Sequence, residues 1–384
     1  MGRWEQLSSP ARRWGRFLDK DERPRRRGRG QKGSDILLFR HSVGLEPLVA
    51  VVRASLRTVM QIEGTIGTVP LGRSGLEVTR FCLGCAPLGW PEDVVSDRMS
   101  EEVLTAAWEQ GVRAFDTAPH YGAGLSEQRL GNFMRRMDRD TFVISTKVGR
   151  LLVPRDDCER GLVGEKHTRR VFDFSRSGVR ASLDQSLERM CLDRVDIALI
   201  HDPDDHMEAA LTQAYVELEN LRAEGIVRAI GVGTNHVDIC ERFVRDTDID
   251  CVLIAGRYSL LDERAGDSLL TIAKDRGIGV LVGGVFNSGI LAKPAPEATF
   301  DYLPASRSMV ERARHMEAIA NRYGVSIRQA AIHFALRGAG VSAVAVGACT
   351  AQEVRDDIAD LHSPVPAQLW EELALSGLLG YRQH

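Results

Sequence analysis

A (β/α)₈ barrel, the α/β architecture known as the TIM barrel, is the fold class that this sequence predicts. Three observations predict it. Eight short apolar runs recur between residues 79 and 347, amphipathic stretches of ten to eighteen residues separate them, and no glycine fingerprint follows the first run. Parallel strands covered on both faces read as continuous apolar runs. Regular alternation of strand and helix signals favours a parallel sheet closed by helical crossovers. The main rival, a doubly wound open sheet, requires G-x-G-x-x-G after its first strand. Here that strand continues as "FCLGCAPLG", which lacks the spacing.

The elements follow in order. A hairpin-like "TVPLGRSGLEVTR" is expected to plug the end of the barrel where the strands begin. The strand candidates are "TRFCLGCA" (79–86), "VRAFD" (112–116), "TFVISTK" (141–147), "VDIALIH" (195–201), "VRAIGVG" (227–233), "DCVLIAG" (250–256), "IGVLVGG" (278–284) and "VSAVAVG" (341–347). Helix candidates between them include "SGVRASLDQSLERM" (177–190), "AALTQAYVELENLRAEG" (209–225) and "VDICERFVRD" (237–246). Two connections are long, 150–173 and 285–308, and "LWEELALSG" (369–377) adds a last helix. Long loops that follow strands lie on the C-terminal face of a barrel and shape its pocket.

The 384 residues are 43% hydrophobic and 27% charged, an ordinary globular composition. Residues 1–33 hold eleven Lys and Arg against four Asp and Glu, so the net charge of −3 conceals an acidic main body. That argues against a nucleic-acid surface on residues 67–384. Residues 1–66 are expected to be a disordered basic extension, because an arginine-rich segment without apolar periodicity cannot build a core. A start at Met60 would remove most of it. The G-x-G-x-x-G at Gly28, Gly30 and Gly33 follows no apolar strand and opens no helix, so it is not a dinucleotide signature. Seven cysteines do not suggest a disulfide framework. The C-x-x-C of Cys82 and Cys85 lies inside an apolar run rather than at an exposed helix start, which disfavours a redox role. No secretory leader and no 18-residue apolar window is present, so neither membrane insertion nor export is expected and the reading is cytoplasmic.

Three strand candidates in succession end on ionisable residues: Asp116, Lys147 and His201. In a barrel these positions converge on one face. Unpaired, three such groups would be costly to bury. Lys147 is expected to pair with Asp116, and its charge to lower the pKa of the nearby phenol, Tyr121, so that the tyrosine can pass a proton. His201 would orient a carbonyl or alcohol oxygen. No metal-ligand spacing and no nucleophile accompany the set, which points to hydride transfer with a nicotinamide.

The chain from about Val69 to Leu379 resembles the aldo-keto reductases, nicotinamide-dependent barrel enzymes. "AFDTAPHYG" resembles their strand-two signature, "VISTKVG" their lysine motif and "LIHDPD" their histidine segment. The resemblance implies a catalytic tetrad of Asp116, Tyr121, Lys147 and His201. It further implies cofactor contacts at Asn235, at Tyr258 stacking on the nicotinamide, at Phe286, Asn287, Ser288 and Gly289 beside the pyrophosphate, and across "GACTAQEVRDD" at Gly347, Ala348, Glu353 and Asp357. The family's Pro-Gly after strand eight reads Val346-Gly347 here. "TAPHYGAGLSEQRLG", "HDPDD" and "GGVFNSGIL" are similar to the D-threo-aldose 1-dehydrogenase subgroup, which implies an aldose oxidised with NAD, NADP being the alternative, and places Trp90 and His120 beside the substrate. Glu353 would accept ribose hydroxyls and repel a 2′-phosphate, with Arg355 and Lys293 the nearby cations. The alternatives are a broad NADPH-dependent aldehyde reductase and a cofactor-binding regulatory subunit like those of potassium channels.

Overall fold

The computed structural model describes residues 66–155 and 163–380. The expectation of a disordered extension over 1–66 lies outside the described residues apart from Ile66, which is buried against the core.

The chain opens with an antiparallel hairpin, β1 (Thr68–Pro70) and β2 (Glu77–Thr79). There follow β3 (Phe81–Gly84), α1 (Asp97–Glu109), β4 (Ala114–Asp116), α2 (Leu125–Met134) and β5 (Val143–Val148). A second hairpin, β6 (Arg150–Pro154) with β7 (Thr168–Phe172), precedes α3 (Arg176–Met190), β8 (Ile197–His201), α4 (Tyr215–Ala223), β9 (Ala229–Thr234), α5 (Val237–Asp246), β10 (Cys251–Ala255), α6 (Leu269–Asp275) and β11 (Gly279–Gly283). A third hairpin, β12 (Thr299–Phe300) with β13 (Leu303–Pro304), leads to α7 (Arg307–Arg322), α8 (Ile327–Leu336), β14 (Val341–Gly347), α9 (Ala351–His362) and α10 (Ala367–Leu375).

Strands β3, β4, β5, β8, β9, β10, β11 and β14 form a closed parallel barrel in chain order, with β14 pairing back onto β3. All eight predicted runs are barrel strands. Most pair about two residues later than the apolar run begins. Val112 and Val195 explain this, being fully buried ahead of the strands they lead into, so the hydrophobic pattern outruns the hydrogen-bonded ladder. The predicted 209–225 helix is interrupted by a wider π turn at Ala210–Ala214.

The first hairpin plugs the barrel. Leu71, Leu76 and Val78 join Leu199, Leu253 and Leu281 in one buried cluster inside it. Burying each such leucine contributes roughly 1.5–3 kcal/mol. Outside the strands, α2 and α3 cross where a Cβ on Gly131 would come within 2.4 Å of the Met190 backbone, so only glycine fits. Thr146 of β5 donates to buried Glu127 at 2.8 Å, and Arg189 of α3 closes on the same carboxylate at 2.6 Å. Ser96, Ser175, Ser306 and Ser326 each cap the helix that follows, a contribution of about 1 kcal/mol apiece. Cys82 and Cys85 are buried in and just after β3, and burial pushes both thiols up, which leaves no reactive thiolate there. No helix among the described residues is long and apolar enough to cross a membrane.

Candidate active site

Asp116 ends β4, Lys147 lies one residue from the end of β5, and His201 ends β8. The barrel therefore brings the three together at its C-terminal end. Lys147 Nζ donates to Asp116 Oδ2 at 2.7 Å and to the Thr117 carbonyl at 2.9 Å. It also sits 4.9 Å from the centre of the Tyr121 ring. Burial works against the ammonium, but Asp116 and Tyr121 outweigh it and hold the Lys147 pKa above its usual value. The lysine is charged at any physiological pH.

For Tyr121 the balance runs the other way. Burial pushes its phenol up and Lys147 only partly offsets this, leaving a pKa of about 12. The expectation that the lysine would bring the phenol below its ordinary value is corrected: desolvation of the phenolate, aided by Asp116, is the larger effect.

His201 is neutral, because burial and the surrounding Arg150 and Lys147 charges hold its pKa far below the usual value. Its Nε2 lies 3.4 Å from Asp202 Oδ2, while its buried Nδ1 has no partner among the described residues. His120 stands beside it, ring centres 5.8 Å apart, and is kept neutral by burial and Arg150, with a pKa of about 3. The Tyr121 ring is 6.1 Å from His201.

Two residues here were missed by sequence reasoning. Arg150 opens β6 and reaches back, donating to Asp202 Oδ2 at 2.5 Å and meeting His120 Nδ1 at 3.1 Å. Asp202 follows His201 with a φ of 42°, a left-handed conformation unusual outside glycine. The available signal was a second polar residue just past each polar strand end.

The loop carrying Tyr121 is fixed by close backbone contact. A Cβ on Gly122 would lie 2.0 Å from the Gly89 carbonyl oxygen, and one on Gly89 would lie 2.4 Å from the Tyr121 carbonyl carbon. Beside it, buried Arg129 donates to the Leu88 and Trp90 carbonyls and pairs with Glu92 and Asp97. Trp90 is thereby held 45% exposed. Much of "LSEQRLG" is thus structural support for the two loops.

The cofactor candidates occupy the β9, β10, β11 and β14 side. Asn235, just past β9, is half-buried, and its carbonyl accepts from Arg257 Nε at 2.9 Å. Tyr258 is buried with its ring 5.1 Å from Phe334 of α8. After β11, Asn287, Ser288 and Gly289 have φ of 45°, 60° and 103°. Asn287 Nδ2 donates to the Gly256 carbonyl, and its buried Oδ1 has no partner among the described residues. Within this turn the Asn287 and Gly289 N–H groups donate to the Gly284 and Phe286 carbonyls at 2.8 and 3.0 Å. Gly347 is exposed at the end of β14 and Ala348 is buried beside it. Glu353 is committed to a capping box, accepting from Cys349 N at 2.7 Å and Thr350 N at 3.2 Å. Asp357 is buried and paired with Arg328, a cation from α8 that lies 5.0 Å over the Phe286 ring. Sequence reasoning named Arg355 and Lys293 as the nearby cations and missed Arg328, because it is 29 residues upstream of Asp357.

Residues 80–374 match the model of the aldo/keto reductase family. The chain belongs to that family. It is an oxidoreductase. It is 38% identical over 316 residues to a D-threo-aldose 1-dehydrogenase from a Pseudomonas species, covering 80% of this chain and 96% of that one. It is 36% identical over 332 residues to a pyridoxal 4-dehydrogenase from Microbacterium luteolum, covering 80% and 97%. In three dimensions it superposes on a glycerol dehydrogenase from Gluconobacter oxydans with a TM-score of 0.67 at 21% identity, covering 83% of this chain and 98% of that one. This last likeness bears on the fold alone.

Proposed function

We propose that this aldo/keto reductase moves a hydride between a nicotinamide cofactor and the anomeric carbon of a free aldose of the L-fucose, L-galactose or D-arabinose type. Tyr121 is the general acid and base. The observation that carries the reading is the buried Lys147–Asp116 pair set against the Tyr121 ring. It holds a fixed positive charge where a phenolate would form. Oxidation of an aldose breaks the anomeric C–H bond with loss of hydride, while the hydroxyl proton passes to Tyr121 Oη and a lactone is left. Neutral His201 offers a hydrogen bond to the same oxygen without competing for the proton.

The cofactor, when bound, accepts that hydride. The residues suited to hold it are Asn235, the left-handed turn Asn287–Gly289 after β11, and Gly347 and Ala348 ahead of the N-terminus of α9. We infer NAD rather than NADP, because Glu353 stands in the first turn of α9 and the charge of Arg328 is offset by Asp357. Similarity to the Pseudomonas enzyme supports an aldose, and the free hydroxyls of an aldose suit a site whose histidines are neutral. Steady-state oxidation of L-fucose with NAD⁺ tests the reading. Turnover confined to NADPH-dependent reduction of simple aldehydes would replace it with a broad carbonyl reductase.

A further inference from the structure

We propose that Arg150 and Asp202 form a hydroxyl clamp that binds the substrate away from its reacting carbon and selects polyhydroxylated molecules without formal charge. This deepens the aldose reading and rests on it. The two side chains touch at 2.5 Å and bracket the proton-transfer groups: Asp202 Oδ2 is 3.4 Å from His201 Nε2, and Arg150 Nη1 is 3.1 Å from His120 Nδ1. Neither belongs to the four-residue set that moves the proton and orients the oxygen.

The pair retains capacity for a ligand. Both of the Asp202 contacts above fall on Oδ2, and its Oδ1 takes no hydrogen bond among the described residues. Arg150 Nε is buried without a partner among the described residues. Asp202 is 30% exposed at its side chain, so its free oxygen is within reach of a small molecule. Hydrogen bonds to a carboxylate or a guanidinium are roughly twice as strong as neutral ones. One hydroxyl can donate to Asp202 while its neighbour accepts from Arg150. A phosphate or carboxylate would instead meet Asp202, a like charge, at the position where it sought Arg150. The guanidinium also lies 4.8 Å over the ring of Phe172, a residue 51% exposed that adds apolar surface beside the clamp.

The test compares two substrates in one set of proteins: oxidation of L-fucose, and reduction of 4-nitrobenzaldehyde, which reacts at the same centre and carries no hydroxyl. Asp202→Asn and Arg150→Met should each lower kcat/KM for L-fucose by about 10- to 100-fold, the scale of a lost charged hydrogen bond, chiefly through KM. Their loss on 4-nitrobenzaldehyde should be at least about tenfold smaller, so that selectivity falls. Arg150→Lys should recover part of the L-fucose KM. Equal losses on both substrates would overturn the clamp and leave the aldose reading standing. A wild-type enzyme that reduces 4-nitrobenzaldehyde but oxidises no aldose would overturn that reading, and the clamp with it. If one variant fails to fold, the other gives the same comparison.

Discussion

Lys147 and Asp116 meet at 2.7 Å across neighbouring strands, with 2% and 5% of their side chains exposed. A buried pair of this kind is worth little relative to apolar residues of the same shape, yet removing one partner strands a charge and costs about 3–5 kcal/mol. Asp116→Ala should therefore lower the free energy of unfolding by about 3 kcal/mol, read from urea denaturation, and abolish turnover. The double variant Asp116→Ala, Lys147→Met should regain part of the stability and none of the activity. A single-variant loss below about 1 kcal/mol would show that the pair is not desolvated as described.

Tyr121→Phe keeps the ring and removes the hydroxyl that the proposed mechanism uses to carry the proton. Turnover should fall by at least about 10²-fold with nucleotide affinity nearly unchanged, measured by fluorescence titration. Wild-type-like turnover would remove Tyr121 from the mechanism.

The pH dependence of the wild type follows from the raised phenol. With a pKa of about 12, the base required for oxidation is scarce at neutral pH and grows as pH rises. Oxidative kcat/KM should climb by up to about tenfold per unit through the alkaline range, whereas reduction, which uses the protonated phenol, should stay flat over the same range. A plateau in oxidation near pH 7 would mean that burial does not raise the phenol.

How far the site was legible in the sequence depends on which physical signal each residue carries. Asp116, Lys147 and His201 stood out because an ionisable group at the end of an apolar run is expensive unless it has a use. The barrel was legible for the same reason, since strands covered on both faces cannot hide their composition. Arg150 and Arg328 were not legible. Each acts through a partner 52 or 29 residues away, and only the closed barrel and its outer helices bring these together. Glu353 was read as a ligand contact, and its Oε2 also caps its own helix start. The Thr-x-x-Glu spacing of Thr350 and Glu353 was the signal for that.

Removing residues 1–59 should leave the fold and the kinetic constants unchanged, because the first hairpin closes the barrel base and Ile66 packs into the outer core. The check is the melting temperature and kcat/KM of a chain starting at Met60 against the full chain. A fall of more than about 5 °C, about 3 kcal/mol for a domain of this size, would place part of the extension within the fold.

On the proposed reading, cofactor choice turns on two carboxylates and one cation. Glu353 is held against the backbone N–H groups of Cys349 and Thr350, so its charge sits at the turn before α9 and opposes a 2′-phosphate. Arg328 would attract that phosphate, but it is paired with Asp357. Burial, only partly countered by Arg328, pushes the Asp357 carboxyl up to about 7. At pH 8 Asp357 is mostly ionised and offsets the guanidinium, and at pH 6 it is mostly protonated and the positive charge is left unbalanced. The NAD⁺ preference in kcat/KM should therefore be larger at pH 8 than at pH 6. The 2′-phosphate also loses charge near pH 6, which works against the trend. Asp357→Asn isolates the protein's part, because it should raise relative use of NADP⁺ at pH 8 and flatten the pH dependence. Glu353→Gln, which keeps an acceptor for the cap, should also move the ratio toward NADP⁺, by about 3- to 10-fold for one exposed charge near a phosphate. Wild-type preference for NADP⁺ by tenfold or more at pH 8 would refute this account of the pocket.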